Sequence, residues 1–155
     1  MFSYFAYGSN MDPDQMAERC PDARGLGAAR LPGYRLAFTR FSPRRQCGVA
    51  DVVRDDDSEV WGVLYELSDA DLRTLDLFEG FVGVGQKNGY NRISVVVHDA
   101  RGQSVEALTY VVPPGAKRPE AECVTSSDYL CHLIEGARYW KLPEAYREML
   151  GGLEP

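Results

Sequence analysis

The N-terminal part of the chain places a glycine turn between two regular elements. Tyr4–Tyr7 is aromatic and apolar, which predicts a short buried strand. Gly8 follows it, and a residue without Cβ allows positive φ and close approach of a ligand to the backbone. Asp12–Asp14 is then typical of a helix start, with Asp12 as the N-cap. A strand that passes through such a turn into a helix can direct free N–H groups at an anion or a developing oxyanion, although an ordinary strand–turn–helix corner has the same pattern.

A second stretch places a glutamate where its charge is unfavourable. Leu75–Gly80 predicts the end of an amphipathic helix with Gly80 as the C-terminal glycine, so Glu79 meets the negative end of the helix dipole. Asp76 lies three residues earlier on the same face and repels it, and the intervening residues are apolar. These effects predict a raised pKa, and a carboxyl group that titrates near neutral pH can serve as acid and base in turn. The alternative is an exposed glutamate at a helix end.

Composition narrows the class of protein. The chain has 155 residues, which suits one domain over residues 1–155, and its net charge of −6 disfavours nucleic acid as a partner. No apolar run approaches the roughly 18 residues of a membrane span, and the first residues are unlike a signal peptide. Four separated cysteines and two histidines form no metal-binding spacing. We therefore expect a cytoplasmic protein with reduced thiols, no metal and no membrane partner.

The remaining pattern predicts a mixed α+β fold with roughly six strands and about four short helices. The strands cluster in the middle of the chain without regular βαβ alternation, which favours a curled, mainly antiparallel sheet. Gly25–Ala29 is predicted to be a turn, and Asp55–Asp57 to end a strand. Ser42–Gln46 is a basic loop, either a solvated turn or a place where an arginine meets an acidic substrate. The predicted strands are Tyr4–Tyr7, Tyr34–Thr39, Val49–Val53, Glu59–Leu67, Tyr90–His98 and Val105–Val112, and the predicted helices are Asp12–Arg19, Ser68–Glu79, Ser126–Tyr139 and Pro143–Leu150.

Several motifs in this order resemble the γ-glutamylcyclotransferase family. They are the loop Tyr7–Met11 after the first strand, the Glu-Gly pair within Leu75–Gly80, and Gly89–Arg92 at the opening of a later strand. The resemblance continues through Glu59–Val63 and Leu142–Tyr146, so it covers nearly the whole chain. Each motif alone is weak, but their order and spacing together are specific.

The resemblance implies a fold, an activity and a set of site residues. Members of the family are cytosolic, cofactor-free enzymes with a small barrel-like sheet and flanking helices, and a homodimer is plausible. They cyclise an N-terminal γ-glutamyl group to 5-oxoproline and release the amine, so the implied partner is a small γ-glutamyl substrate. Asn10 favours the branch that acts on γ-glutamyl amino acids, rather than on glutathione or γ-glutamyl-lysine. The implied catalytic residue is Glu79, and the implied substrate-binding residues are Tyr7, Gly8, Ser9, Asn10, Met11, Tyr90 and Tyr110, with Met11 as a volume-conserving replacement for the leucine common at that position.

The chemistry that follows is intramolecular. The substrate α-amine attacks its own δ-carbonyl, and Glu79 takes a proton from the amine and gives it to the leaving nitrogen. The N–H groups around Gly8 would bind either the α-carboxylate or the oxyanion. Tyr7 and Tyr90 either hydrogen-bond the substrate or only form the wall of the pocket. Ser9 has no histidine in a recognisable partner motif, so a covalent mechanism is not expected.

Two other functions remain open from the sequence. One is a cyclotransferase that deprotects a γ-glutamyl amine or a biosynthetic intermediate, with Phe81–Asn88 and Lys117–Glu122 on the acceptor side of the pocket. The other is a non-catalytic module that binds γ-glutamyl groups or 5-oxoproline. The glycines of Phe81–Gly85 also make this loop a candidate lid.

Overall fold

The sheet closes on itself as a five-stranded barrel in the computed structural model, which describes all residues from Met1 to Pro155. Four α-helices and three single 3₁₀ turns lie around it. The strands are β1 (Phe2–Ala6), β2 (Arg24–Ser42), β3 (Cys47–Leu67), β4 (Asn91–His98) and β5 (Ser104–Val111). The helices are α1 (Pro13–Arg19), α2 (Asp69–Glu79), α3 (Ser127–Tyr139) and α4 (Glu144–Gly151), and the 3₁₀ turns are Ser9–Met11, Pro114–Ala116 and Glu120–Glu122.

The strands follow the order β1-β3-β2-β4-β5 around the barrel. The β1–β3, β3–β2, β2–β4 and β4–β5 pairs are antiparallel, and β5 meets β1 in a parallel contact where Tyr4 lies opposite Leu108. The prediction of a mainly antiparallel, barrel-like sheet flanked by short helices is therefore confirmed. No helix has the length and apolar character needed to cross a lipid bilayer.

The β2–β3 hairpin is longer than the sequence predicted. Gly25–Ala29 belongs to β2 and is not a turn, because its backbone pairs with β3 on either side of a bulge between Gly25 and Gly27. Gly27 takes φ +117°, which a glycine adopts without strain. Asp55–Asp57 lies within β3 at an irregularity, because pairing with β2 stops at Arg54 and resumes at Glu59, so the two strands predicted at Val49–Val53 and Glu59–Leu67 are one. The basic loop remains a turn, since the hairpin reverses between Ser42 and Cys47.

Helix α2 begins and ends where local side-chain chemistry predicts. The Ser68 side chain accepts a hydrogen bond from the Asp71 N–H at 3.1 Å, and Gly80 takes φ 71° beyond the last turn. Leu72 and Leu75 are buried against the barrel as expected. Phe78 was expected on the same inward face, but it is 42% exposed because the helix ends at the rim of a cavity.

A buried carboxylate ties the barrel to the segment that follows it. Asp51 is completely buried in β3, and its Oδ1 accepts from the Val112 N–H at 3.0 Å. Its Oδ2 accepts from the Thr39 hydroxyl and the Lys117 ammonium, both at 2.7 Å. Since every oxygen is paired, the charge is tolerated in the interior and fixes the chain after β5 against the sheet.

Gly62 of β3 has no room for a side chain, and we predict that Gly62→Ala destabilises the fold. A Cβ at this position would lie 2.3 Å from the Ala6 carbonyl oxygen and 2.8 Å from the Phe5 ring, so β1 and β3 would have to separate. The expected loss is about 1–3 kcal/mol, measured as a lower urea midpoint. Gly115→Ala is the control, because a Cβ there meets nothing within 4 Å. Equal midpoints for the two variants would contradict this packing argument.

Candidate active site

A cavity of about 390 Å³ opens at one end of the barrel, between the loop after β1, the C-terminus of α2 and the β2–β3 turn. Its walls are mainly aromatic and its rim is cationic. The structure brings seven of the sequence-predicted site residues together here. These are Tyr7, Gly8, Ser9, Asn10, Glu79, Tyr90 and Tyr110.

Met11 is the predicted site residue that the structure places elsewhere. It is completely buried and does not line the cavity. A Cβ on Gly136 of α3 would lie 2.5 Å from Met11, so helix and loop are in close contact there. The Met11 carbonyl oxygen also accepts a hydrogen bond from Trp140 Nε1 at 3.1 Å. Met11 therefore anchors the underside of the loop rather than facing the cavity.

Asn10 joins the two stretches that the sequence singled out. Its Nδ2 donates to Glu79 Oε1 at 3.2 Å and to the Tyr4 hydroxyl at 2.9 Å. Its Oδ1 accepts from Gln15 Nε2 at 2.9 Å and from Arg19 Nη1 at 3.0 Å. Four partners thus hold one buried amide, and through it the carboxyl group of α2 is fixed against the loop after β1.

The pKa of the Glu79 carboxyl group is raised above its ordinary value, with burial as the largest cause. The positive charges of Arg19, Arg40 and Arg45 oppose this rise, as does the hydrogen bond from Asn10. The direction agrees with the prediction, and burial corresponds to the apolar surroundings that were one of its expected causes. The expected repulsion by Asp76 is not among the causes of the shift.

Asp76 has other partners instead. Its Oδ2 pairs with the Arg92 guanidinium, and its Oδ1 accepts from the Tyr110 hydroxyl at 2.7 Å. These contacts neutralise the aspartate on the outer side of α2. Arg92, noted in the sequence beside Tyr90, therefore positions the helix end rather than lining the cavity.

Gly8 is required by close packing and not by an unusual backbone angle. Its φ is −114°, so the expected positive φ is absent. A Cβ there would lie 3.1 Å from the Tyr129 hydroxyl and 3.5 Å from Ala50 Cβ. The N–H groups of Gly8, Ser9 and Asn10 have no hydrogen-bond acceptor within the protein, so three consecutive donors occupy this wall.

The cavity tyrosines use their hydroxyl hydrogens on the protein itself. The Tyr7 hydroxyl donates to the Tyr110 carbonyl oxygen, and the Tyr90 hydroxyl donates to the Ala50 carbonyl oxygen at 2.8 Å. Burial raises the pKa of Tyr7 and of Tyr90 well above the ordinary value, so both remain neutral. Each hydroxyl oxygen is left as an acceptor. Both tyrosines therefore form rigid walls that could accept a hydrogen bond from a bound N–H.

Several cavity residues lay outside the sequence-based set. Tyr4 and Tyr129 add two further aromatic walls, and Phe78 forms part of the rim. Tyr4 had a usable signal, since it belongs to the same aromatic strand as Tyr7. Tyr129 had none, because it reaches the cavity from α3, far along the chain. Arg19 and Arg40 are cationic additions, whereas Arg44 and Arg45 belong to the basic loop that the sequence offered as a possible contact for an acidic substrate. The other additions are Ser42, Pro43, Val49 and Ala50.

The two segments expected on the acceptor side do not line the cavity. Asn88 folds the first of them onto itself, accepting from the Val82 N–H at 2.7 Å and donating to the Gly83 carbonyl oxygen at 2.9 Å. Lys117, in the second, is held by Asp51. The outer rim is formed instead by the β2–β3 turn, whose Arg45 donates to the Gln15 side chain at 2.9 Å.

A closed barrel that sets one carboxyl group, a loop of free N–H donors and a cationic rim around a small cavity defines an enzyme for a small anionic substrate. The comparisons with known proteins agree. The chain belongs to the family described as gamma-glutamyl cyclotransferase, AIG2-like, whose model matches residues 4–131.

Relatives and solved structures extend the match over the whole chain. Gamma-glutamylcyclotransferases of Mus musculus and Homo sapiens are each 31% identical over 159 residues, covering 99% of this chain and 79% of theirs. A solved structure named gamma-glutamyl cyclotransferase superposes with a TM-score of 0.86 at 30% identity, covering 99% of this chain and 88% of that one. An uncharacterised protein from Homo sapiens gives 0.84 at 29% identity, with the same coverage. The predicted family and fold are confirmed.

We predict that the Glu79 carboxyl group titrates above the ordinary range of glutamate and that Arg19→Gln raises its pKa further. Arg19 favours the charged form, so its removal leaves burial less opposed. Carbon-13 NMR of the side-chain carboxyls across a pH series measures this, with Glu79→Gln to assign the signal.

Arg24→Gln is the matched control for this titration. Arg24 is a surface arginine paired with Glu66 and does not line the cavity. The Arg24→Gln substitution should leave the Glu79 pKa unchanged. A Glu79 pKa that falls in the Arg19 variant would overturn the electrostatic account.

Proposed function

We propose that the protein is a γ-glutamylcyclotransferase that converts a γ-glutamyl amino acid to 5-oxoproline and the free amino acid. The observation that carries the proposal is the link between Asn10 Nδ2 and Glu79 Oε1 at 3.2 Å, inside a cavity lined by unpaired loop N–H groups. This link supports a proton-transfer role for Glu79 beside donors for negative charge. The mouse and human relatives carry the name of this activity.

The enzyme needs to supply conformation and proton transfer. The reaction joins the substrate α-nitrogen to its own δ-carbon, so holding the γ-glutamyl chain folded replaces a bimolecular encounter. The N–H groups of Gly8, Ser9 and Asn10 supply donors for the α-carboxylate or for the oxyanion that forms on the δ-oxygen. Tyr7 and Tyr90 present hydroxyl oxygens that accept from a substrate N–H.

Glu79 carries the protons between the two nitrogens. Its carboxylate takes a proton from the α-ammonium, and the freed amine attacks the δ-carbon. The new C–N bond gives a tetrahedral oxyanion on the δ-oxygen. Its collapse restores the carbonyl and breaks the bond to the leaving nitrogen, to which Glu79 delivers a proton. Two protons in total leave the attacking nitrogen and two reach the leaving amine, so no water, oxidant or cofactor is consumed.

The raised pKa of Glu79 suits this double role. An ordinary glutamate is a weak base toward an ammonium group, so raising its pKa reduces the energy difference of the first transfer. The same change makes the protonated carboxyl easier to form before the leaving amine departs. Burial therefore contributes to catalysis through the acid–base strength of one residue.

The competing functions use the same residues differently. A deprotecting cyclotransferase would share Glu79 and the loop, and would differ only in the leaving amine. A non-catalytic binding module would have no need of a carboxyl group with a raised pKa joined to the loop by Asn10. A catalytic function is therefore preferred over a binding function.

We also propose a cytoplasmic, cofactor-free enzyme that handles γ-glutamyl compounds of glutathione metabolism. The four cysteines are free thiols and three of them are buried, which agrees with a reducing compartment. The homodimer implied by the family resemblance belongs to the same proposal. Light scattering coupled to gel filtration measures it directly.

We predict that Glu79→Gln lowers kcat for 5-oxoproline formation by about 10³-fold. The amide keeps the size of the side chain and can still accept from Asn10, but it cannot take the substrate proton. Mass spectrometry of 5-oxoproline released from γ-glutamyl-alanine, glutathione and γ-glutamyl-ε-lysine measures the effect. Glu148→Gln, exposed on α4, is the matched control and should retain wild-type turnover. A substantial residual rate for Glu79→Gln would remove this residue from the mechanism.

The same variant makes a separate prediction about stability. Because folding raises the Glu79 pKa, that residue contributes stability that is complete below the ordinary glutamate pKa and is lost as pH rises through the raised value. Glu79→Gln stays uncharged at every pH, so its melting temperature should exceed that of the wild type at neutral pH. The difference should shrink in acid, as thermal melts across a pH series would show. A lower melting temperature for the variant at neutral pH would contradict it.

A further inference from the structure

The cavity holds an unusual set of positive charges. Arg19, Arg40, Arg44 and Arg45 all line it, and Glu79 is the only carboxylate among its lining residues. Four positive side chains therefore face one negative one, in a chain whose net charge is −6. Burial lowers the pKa of the Arg19 guanidinium, Glu79 opposes this, and the charges of Arg45 and Arg44 lower it further.

None of these four arginines forms an ion pair within the protein. Arg19 and Arg45 donate only to neutral side chains, those of Asn10, Ser9 and Gln15. The guanidinium groups of Arg40 and Arg44 lie over the rings of Tyr90 and Phe78, with no hydrogen-bond acceptor in the chain. Of the ten arginines outside the cluster, seven pair with carboxylates. Those seven are Arg24, Arg30, Arg35, Arg54, Arg92, Arg118 and Arg138.

The arginines lie at two depths. Arg19 and Arg40 exert the largest charge effects on Glu79, so they lie near the reacting groups. Arg44 is exposed in the β2–β3 turn, and Arg45 beside it is half-buried and has a smaller charge effect on Glu79 than Arg19 or Arg40. The guanidinium groups of Arg19 and Arg44 both lie against the Phe78 ring, at 4.4 and 5.5 Å from its centre. Arg44 and Arg45 thus form the outer part of the cluster, on the side where the leaving amino acid would project if a γ-glutamyl group is held beside Glu79.

A simple γ-glutamyl amino acid does not use all of this charge. Its α-ammonium and α-carboxylate offset each other next to Glu79, Arg19 and Arg40. The carboxylate of the leaving amino acid then meets the outer pair of arginines with a single negative charge. A second carboxylate on the leaving side chain would give each outer guanidinium a partner.

We propose that the preferred substrates are γ-glutamyl dipeptides with an acidic leaving residue, γ-glutamyl-glutamate and γ-glutamyl-aspartate, recognised at the rim by Arg44 and Arg45. This inference rests on the proposed function and names the substrate class of the same site. It excludes cationic leaving amines, because a side chain such as that of lysine would face the same guanidinium groups.

The test compares matched pairs of substrates on the intact protein. γ-Glutamyl-glutamate is compared with γ-glutamyl-glutamine, and γ-glutamyl-aspartate with γ-glutamyl-asparagine, since each pair differs only by a carboxylate against an amide. We expect kcat/KM to favour the acid by about tenfold or more, the difference between a charged and a neutral hydrogen-bond partner. The preference should weaken as ionic strength rises from about 0.05 to 0.5 M, because the rim is solvent-accessible.

Substitutions of Arg44 and Arg45 test whether these two residues cause the preference for acidic substrates. In Arg44→Gln/Arg45→Gln the acid-to-amide ratio should fall toward one, while Arg44→Lys/Arg45→Lys should retain part of it. Arg101→Gln, in the exposed turn between β4 and β5, removes the same charge away from the cavity and should keep the wild-type ratio. If the double glutamine variant fails to fold, the substrate pairs and the salt dependence of the wild type still decide the question.

The outcomes separate this inference from the function on which it rests. Absence of 5-oxoproline from every γ-glutamyl substrate overturns the proposed function. Turnover of the amide substrates at rates equal to the acids leaves the cyclotransferase in place and overturns the acidic preference. An acid preference that persists in a folded double glutamine variant overturns the assignment to Arg44 and Arg45.

Discussion

The site depends on one hydrogen-bonded amide. Asn10 holds the Glu79 carboxyl group with its Nδ2, and the same side chain is fixed by Tyr4, Gln15 and Arg19. A buried carboxylate is costly unless donors surround it, and here the nearest donor belongs to the loop that also supplies the free N–H groups. The loop and the Glu79 carboxyl group are therefore joined through a single residue. A movement of the loop after β1 that keeps this hydrogen bond moves the proposed acid–base group with it.

Balanced burial and charge set the character of Glu79. Burial alone favours the neutral acid, and the nearby arginines favour the carboxylate. A fully exposed glutamate would be too weak a base, and one in full contact with a guanidinium would be held as the anion. The arginines instead lie over aromatic rings or donate to neutral groups, so they influence Glu79 from a distance. The result is a carboxyl group with a raised pKa, which suits the proposed exchange of protons.

Local chemistry made much of the fold predictable. The Ser68 cap and the Gly80 C-terminus depend on residues within a few positions, so they can be recognised in the chain itself. The motifs that resemble the family further predicted the barrel-like sheet and the loop that contributes to the site. The full lengths of β2 and β3 were missed. A glycine-rich segment predicted a turn and an acidic segment predicted a strand end, but strand pairing continues on both sides of each segment. Tyr129 and the arginine cluster were missed as a set because only the closed barrel brings them to one cavity.

The parallel contact between β1 and β5 carries a consequence for biosynthesis. β1 leaves the ribosome first, yet its partners at the closure are among the last barrel residues made, as in the hydrogen bond from the Thr109 hydroxyl to the Phe5 carbonyl oxygen. The Tyr7 hydroxyl likewise depends on the Tyr110 carbonyl oxygen. A nascent chain therefore exposes the complete loop motif long before it has a cavity. Only after β5 and α3 have been made are the walls of that cavity complete, so partly synthesised chains carry the loop motif without the cavity.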